Sequence, residues 1–205
     1  EFRAVEVQQS EQGMEFTIVA NGDSHRACVG ASGRHMVVNA LMAAAVGSHL
    51  GLSMEAITRG LSRASLTSGR MQKKTIAGVA YIDDSYNANP DSAKAAIDAL
   101  AGKQCEGRRI LVMGGMAELG DLSVDEHRKV GRAAAEAGID CIFSVGEKAE
   151  PVYTGAQSQL PGCAQHFDNH QQCIDFLHVE ACPGDIVLVK GSRSSAMEKI
   201  LEGLG

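Results

Sequence analysis

Residues 79–92 read Val79-Ala80-Tyr81-Ile82-Asp83-Asp84-Ser85-Tyr86-Asn87-Ala88-Asn89-Pro90-Asp91-Ser92, an apolar run that gives way to a polar loop and then to a helix start. The segment from Val79 to Asp83 favours a strand, because β-branched and aromatic side chains fit a pleated surface. Asn89 suits a helix cap, and Pro90 suits the first helical position, where a missing N–H costs nothing. Strand, loop and helix are predicted in that order. The rhythm then repeats. Apolar runs at Ile110 to Met113, Cys141 to Val145, Ala164 to Phe167 and Ile186 to Val189 are interleaved with amphipathic stretches. The helices fall near residues 91–101, 123–137, 147–157, 169–180 and 194–203, and Ser195 with Glu198 has capping-box spacing for the last. Runs such as Ile110-Leu111-Val112-Met113 do not alternate with polar residues, as expected of strands covered on both faces. Residues 77–205 are therefore predicted to be α/β and Rossmann-like: a mainly parallel sheet with helices on both faces.

Residues 1–76 have a different texture. Short strands are expected at 3–8, 14–20 and 25–30, with Glu11-Gln12-Gly13 and Asn21-Gly22-Asp23 as hairpin turns. Met36 to His49 reads as an alanine-rich helix with few polar members, so most of its circumference is expected to be buried. Ser53 caps a shorter helix to about Ser62, residues 63–76 serve as a connector, and the domain boundary is placed near residue 76. A meander with two helices buries too little area to cover that apolar helix. Residues 1–76 are accordingly expected to be the tail of a larger domain.

Bulk properties exclude several classes. With 205 residues, 44% hydrophobic and 21% charged, the chain has room for one generous domain or two small ones. No apolar run approaches the roughly 18 residues that span a bilayer, and Glu1-Phe2-Arg3-Ala4-Val5-Glu6 is no signal peptide, so the expected location is cytoplasmic. A net charge of −6 and an aromatic content of 4% without tryptophan argue against nucleic acid as a partner. The six cysteines are scattered without a C-x-x-C pair and read as reduced thiols. Cys163, His166, His170 and Cys173 have spacings compatible with zinc, but the segment reads equally as a strand end, a turn and a helix start.

In an open parallel sheet, ligands lie beyond the carboxyl ends of the strands. Three polar clusters follow predicted strands there. In the first, residues 83–92, a carboxylate suits a ribose diol and the asparagines suit a base or amide; a turn with a helix cap accounts for the same residues. The second, Gly114-Gly115-Met116-Ala117-Glu118-Leu119-Gly120, permits close backbone approach by a ligand or simply a tight turn. In the third, Lys190-Gly191-Ser192-Arg193, two cations, a hydroxyl and a run of amides suit a carboxylate or phosphate; two surface cations beside a capped helix is the plainer reading. No G-x-x-x-x-G-K-[ST] loop, G-x-G-x-x-G, H-E-x-x-H or G-x-S-x-G is present, so nothing here cradles a triphosphate unaided. His127, in a polar helical stretch, is expected on a solvated face.

Asp-Asp-Ser-Tyr-Asn-Ala-Asn-Pro-Asp-Ser at 83–92, Met-Ala-Glu-Leu-Gly at 116–120 and Val-Leu-Val-Lys-Gly-Ser-Arg at 187–193 together resemble the carboxy-terminal domain of the Mur ligases. The wording is nearest to the branch that uses D-alanyl-D-alanine. Gly33-Arg34-His35 with Asn39-Ala40-Leu41 resembles the family's central ATPase domain, and Gly69-Arg70 its interdomain arginine, so the likeness covers nearly the whole chain. The resemblance implies that residues 1–76 are the end of an ATP-binding domain and that the phosphate loop and a UDP-sugar domain lie outside this sequence. It further implies that ATP, with Mg2+, phosphorylates the terminal carboxylate of UDP-N-acetylmuramoyl-tripeptide, after which the amine of D-alanyl-D-alanine attacks the acyl phosphate in peptidoglycan precursor synthesis. This chain alone would be inactive.

Carried over residue by residue, the likeness assigns His35, Asn39, Arg70, Asp84 and Asn87 to the nucleotide, with Asn39 at adenine, Asp84 at the ribose and Arg70 at the phosphates. Asn89, Glu118, Lys190, Ser192 and Arg193 fall to the peptide substrates, and Arg193 suits a bidentate grip on the dipeptide carboxylate. Arg70 and Lys190 are the implied catalytic pair, and no residue is assigned to a metal. Met36 and Gly115 depart from the family pattern, which usually shows asparagine and aspartate there. Another Mur-type ligase or a folylpolyglutamate synthetase is the neighbouring alternative. A non-catalytic Rossmann-like binding module is the alternative of another class.

Overall fold

The computed structural model describes residues 1–10, 13–20, 22–30, 33–64 and 69–205, the His35 side chain excepted. Two compact units result, Glu1–Thr67 and Ser68–Gly205. In the first, β1 (Phe2–Ser10), β2 (Gly13–Ala20) and β3 (Asp23–Val29) form an antiparallel sheet in chain order. The expected turns at Glu11-Gln12 and Asn21 lie outside the described residues. Helices α1 (Arg34–His49) and α2 (Met54–Arg63) complete the unit, and the Ser53 hydroxyl caps α2 by accepting from the Ala56 amide, as its sequence implies. Phe16 and Ile18 of β2 pack with Val37, Ala40 and Ala44 of α1 and with Ile57 and Leu61 of α2. Helix α1 departs from expectation. Among its described residues only Val37, Ala40, Ala44 and Gly47 are buried, while Val38, Met42 and Val46, spaced four apart on another face, are more than half exposed.

The second unit is a six-stranded sheet in the order β4-β5-β9-β6-β7-β8. Strands β5 (Val79–Asp84), β6 (Arg109–Met113), β7 (Cys141–Val145), β8 (Ala164–Phe167) and β9 (Ile186–Lys190) run parallel. Successive side chains point to opposite faces. Leu111, Met113, Ile142 and Leu188 meet α3 (Pro90–Ala101), α4 (Ser123–Glu136) and α5 (Glu150–Ala156). Ile110, Val112, Phe143, Val187 and Val189 meet α6 (His170–Glu180) and α7 (Glu198–Leu204) on the other side. Both faces are covered, which is why the runs carry no polar alternation.

Three local expectations change. Part of the presumed connector is β4 (Gln72–Ile76), an edge strand antiparallel to β5 through the two-residue turn Ala77-Gly78, both with positive φ. Its exposed Lys73, Lys74 and Thr75 give it no apolar period to read. Because β4 pairs with β5, residues 69–76 belong to the second unit, and the division falls at 67/68 rather than near 76. Ser195 does not cap α7. It sits in a short 3-10 turn, Arg193–Ser195, and Met197 precedes the helix without a side-chain cap. Asn89 and Pro90 do start α3, with a reciprocal pair of hydrogen bonds between Asn89 and Ser92.

Candidate functional site

Strand β9 lies between β5 and β6, so chain order and spatial order part company there. The helices after β5 and β6 pack on one face and the helix after β9 on the other. The strand order therefore reverses beside β9, and in α/β sheets the carboxyl edge at such a point is where ligands bind. All three clusters from the sequence open onto this edge.

The register pairs Asp84 of β5 with Lys190 of β9. The Lys190 ammonium donates to the Asp84 carboxylate at 2.6 Å and to the Asn87 carbonyl at 3.0 Å, straddling the start of the first loop. Asp83, on the opposite side of the strand, is buried and accepts from the Ser85 amide and hydroxyl. The Asn87 side chain accepts from the Ala88 amide, and Asn89 is committed to capping α3. Hydrogen bonds within the loop and from Lys190 thus satisfy most of its polar groups.

Arg70 reaches the same loop. Its guanidinium lies 4.4 Å from the Tyr86 ring centroid, a cation–π stack that leaves both side chains exposed. Gly69 makes this possible. Its φ is 77°, its carbonyl accepts from the Tyr86 amide, and a Cβ there would meet that amide nitrogen at 2.8 Å.

The second and third loops are fastened to each other. The Gly114 amide donates to the Lys190 carbonyl at 2.7 Å, and the Gly115 carbonyl accepts from the Ser192 amide at 2.9 Å and the Ser195 hydroxyl at 2.8 Å. Met197 lies beneath, and a Cβ on Gly114 would meet its Cγ and Sδ at 2.6 Å, so only glycine lets the loops come this close. Ser192 is buried, its hydroxyl turned toward those of Ser194 and Ser195. Arg193 is 71% exposed and pairs with Glu198 at 3.1 Å. Glu118 is exposed in a left-handed conformation (φ 63°) at the tip of the second loop.

The structure thus brings Arg70, Asp84, Asn87, Asn89, Glu118, Lys190, Ser192 and Arg193 to one sheet edge. Lys190 and Asp84, read from sequence as separate ligand contacts, are each other's partners here. Asn39 belongs to the first unit, exposed on α1, and its amide lies 3.8 Å from the Met36 sulfur. His35 starts the same helix, its side chain outside the described set.

His127 overturns its expected place on a solvated face. It is fully buried, with Nε2 accepting from the Met116 amide. A signal was available: His127, Val130, Gly131 and Ala134 form the buried stripe of α4 at helical spacing. The zinc reading also fails. His166 bonds Ser144, His170 bonds the Ser195 carbonyl, Cys173 is buried and Cys163 exposed. Among the described residues no three His, Cys, Asp or Glu side chains converge as a zinc site needs, and the edge carboxylates Asp83 and Asp84 are engaged by Ser85 and by the Lys190 ammonium rather than free for Mg2+. No helix among them is long and apolar enough to cross a membrane.

With this geometry in view, residues 69–193 match the sequence family described as Mur ligase, glutamate ligase domain. Over its full length the chain is similar to the UDP-N-acetylmuramoyl-tripeptide--D-alanyl-D-alanine ligases of Escherichia coli (strain K12), at 37% identity, and Bacillus subtilis (strain 168), at 32%. It covers 44% and 45% of those proteins, so the chain spans less than half their length. Among solved structures, MurF from Acinetobacter baumannii superposes with a TM-score of 0.88 at 32% identity, over 99% of this chain and 45% of that one. A Thermotoga maritima MurF in complex with ADP shares the fold, with a TM-score of 0.75 at 22% identity over 99% of this chain and 45% of that one.

Proposed function

The chain belongs to the Mur ligase family, and from that premise we propose that it is the carboxy-terminal part of an ATP-dependent ligase that joins D-alanyl-D-alanine to UDP-N-acetylmuramoyl-tripeptide. The observation that carries the reading is the joining of three loops, after β5, β6 and β9, by the Lys190–Asp84 pair and the Gly115 carbonyl at one sheet edge. The reaction consumes a carboxylate, an amine and ATP and yields an amide, ADP and phosphate. The phosphate loop and the seat for Mg2+ are assigned to residues outside this sequence. The exposed apolar strip of α1 supports the matching view that the first unit is completed by further chain of an ATP-binding domain.

Roles follow from exposure. Arg70, held over Tyr86 with its guanidinium accessible, suits nucleotide phosphates. The Asp84 oxygen that does not receive the Lys190 ammonium suits a ribose hydroxyl. Arg193, mostly solvated, suits the dipeptide carboxylate, and Glu118 projects from the adjoining loop. Excluding water from an activated carboxylate at this edge favours aminolysis over hydrolysis. We place the activity in the cytoplasm, where a UDP-linked precursor and ATP are both at hand.

The test is ADP release by the full-length protein, with each substrate withheld in turn. Release that requires both UDP-N-acetylmuramoyl-tripeptide and D-alanyl-D-alanine is expected. Release indifferent to the dipeptide, or faster with a single amino acid or glutamate as the amine, overturns the assignment.

A further inference from the structure

The two ring nitrogens of His127 have partners of opposite kind. Nε2 lies 2.7 Å from the Met116 amide nitrogen, which can only donate, so Nε2 carries no proton. Nδ1 lies 2.6 Å from the Ser123 carbonyl oxygen, which can only accept, so Nδ1 carries one. The surroundings thus fix a neutral imidazole in a single tautomer, from a residue with no exposed surface.

The group it grips matters more than its burial. The Met116 N–H belongs to the same peptide unit as the Gly115 carbonyl, which accepts from the Ser192 amide and the Ser195 hydroxyl. One peptide plane is held on its nitrogen side by His127 and on its oxygen side by the loop after β9. Donation from the nitrogen polarises the carbonyl and strengthens the bonds it accepts. Rotating that plane would move the Ser192–Ser195 turn that carries Arg193. Burial of the Met116 side chain blocks the simplest slippage along the chain.

We propose that His127 is a positioning residue that sets the 115–116 peptide plane, and through it the 192–195 turn, for the incoming amine substrate. The proposal rests on the ligase reading above for the identity of that substrate, and on the hydrogen-bond geometry alone for the positioning. Two variants of the full-length protein test it, His127→Ala and His127→Gln, since a glutamine carbonyl can still accept from the Met116 amide. Losing a buried hydrogen bond of this kind should raise KM for D-alanyl-D-alanine and quicken Met116 amide exchange by about tenfold each in the alanine variant. The KM for ATP should stay at the wild-type value, and glutamine should restore most of both losses.

Unaltered amine KM and Met116 exchange in His127→Ala would overturn the proposal. So would a uniform fall in every kinetic constant with glutamine no better than alanine, the pattern of a merely structural residue. If the alanine variant does not fold, the glutamine variant is compared with wild type and the 15N spectrum of the wild-type ring is read. A ring protonated at Nε2 near neutral pH overturns the proposal, and an Nδ1–H neutral ring with Met116 protection kept in His127→Gln supports it. If the wild type does not use D-alanyl-D-alanine, the ligase reading fails, and the exchange and 15N results still decide the positioning role.

Discussion

The Lys190 ammonium and the Asp84 carboxylate meet at 2.6 Å with their side chains only 3% and 15% exposed, joining residues 106 apart in sequence. Removing one partner of such a pair leaves an uncompensated charge in a dry setting. Lys190→Ala is expected to destabilise the second unit by about 3–5 kcal/mol, read by urea unfolding. The paired change Lys190→Met with Asp84→Asn should recover much of that stability without recovering ligase activity. A double variant as active as wild type would show that the pair serves the fold alone.

Arg193 presents the opposite case. Its pair with Glu198 is largely solvated, and such pairs contribute about 0–1 kcal/mol. Arg193→Ala should leave the unfolding midpoint almost unmoved and raise KM for D-alanyl-D-alanine. Dipeptide kinetics matching the wild type would reject its assignment to the substrate carboxylate.

Helices α4 and α5 touch backbone to backbone. A Cβ on Gly131 would collide with the Val152 carbonyl oxygen, and one on Gly155 with that of Arg128. Neither obstacle is a flexible side-chain end. Gly131→Ala is expected to cost about 1–3 kcal/mol or more, although alanine ordinarily favours a helix. Thermal unfolding measures it, and a midpoint at or above that of wild type would contradict the close crossing.

Two groups give stability a pH dependence with separable windows. Burial lowers the His127 pKa, with the nearby Lys148 cation acting the same way and the Ser123 carbonyl bond opposing. Below about pH 6.5 the unfolded chain therefore binds a proton that the folded chain resists, and stability should fall as pH drops toward the depressed folded value. Burial alone would raise Asp185, but hydrogen bonds from the Arg108 side chain and from the Arg108 and Cys182 amides hold it below the usual range. Its contribution is complete above about pH 3.9 and is lost as pH falls through the folded pKa. His127→Gln should flatten only the upper window and Asp185→Asn only the lower one, as followed by urea midpoints against pH. Loss of both windows in either variant would contradict the separation.

Short-range physics made much of this chain legible without coordinates. The strand runs at 110–113, 141–145 and 186–189 and the Asn89-Pro90 helix start depend on side-chain periodicity and on backbone donors within a few residues. The clustering of 83–92, 116–120 and 190–193 at one edge followed from the rule that parallel strands share a carboxyl end. Strand β4 is not legible in the sequence, because an edge strand with two exposed lysines needs no apolar pattern. The long apolar helix α1 reads as buried over most of its circumference, because composition cannot show which face meets the meander.

What tertiary structure alone decided lies in contacts between distant residues. Placing β9 between β5 and β6 puts Lys190 beside Asp84, and that order depends on where the whole crossover packs. The inward rotation of His127 depends on which stripe of α4 meets the sheet, and its grip on Met116 on a loop eleven residues away. Local propensity specifies elements and their ends. The partner of a buried polar group is chosen by how those elements pack, because only packing removes water and makes an unmatched donor or charge costly.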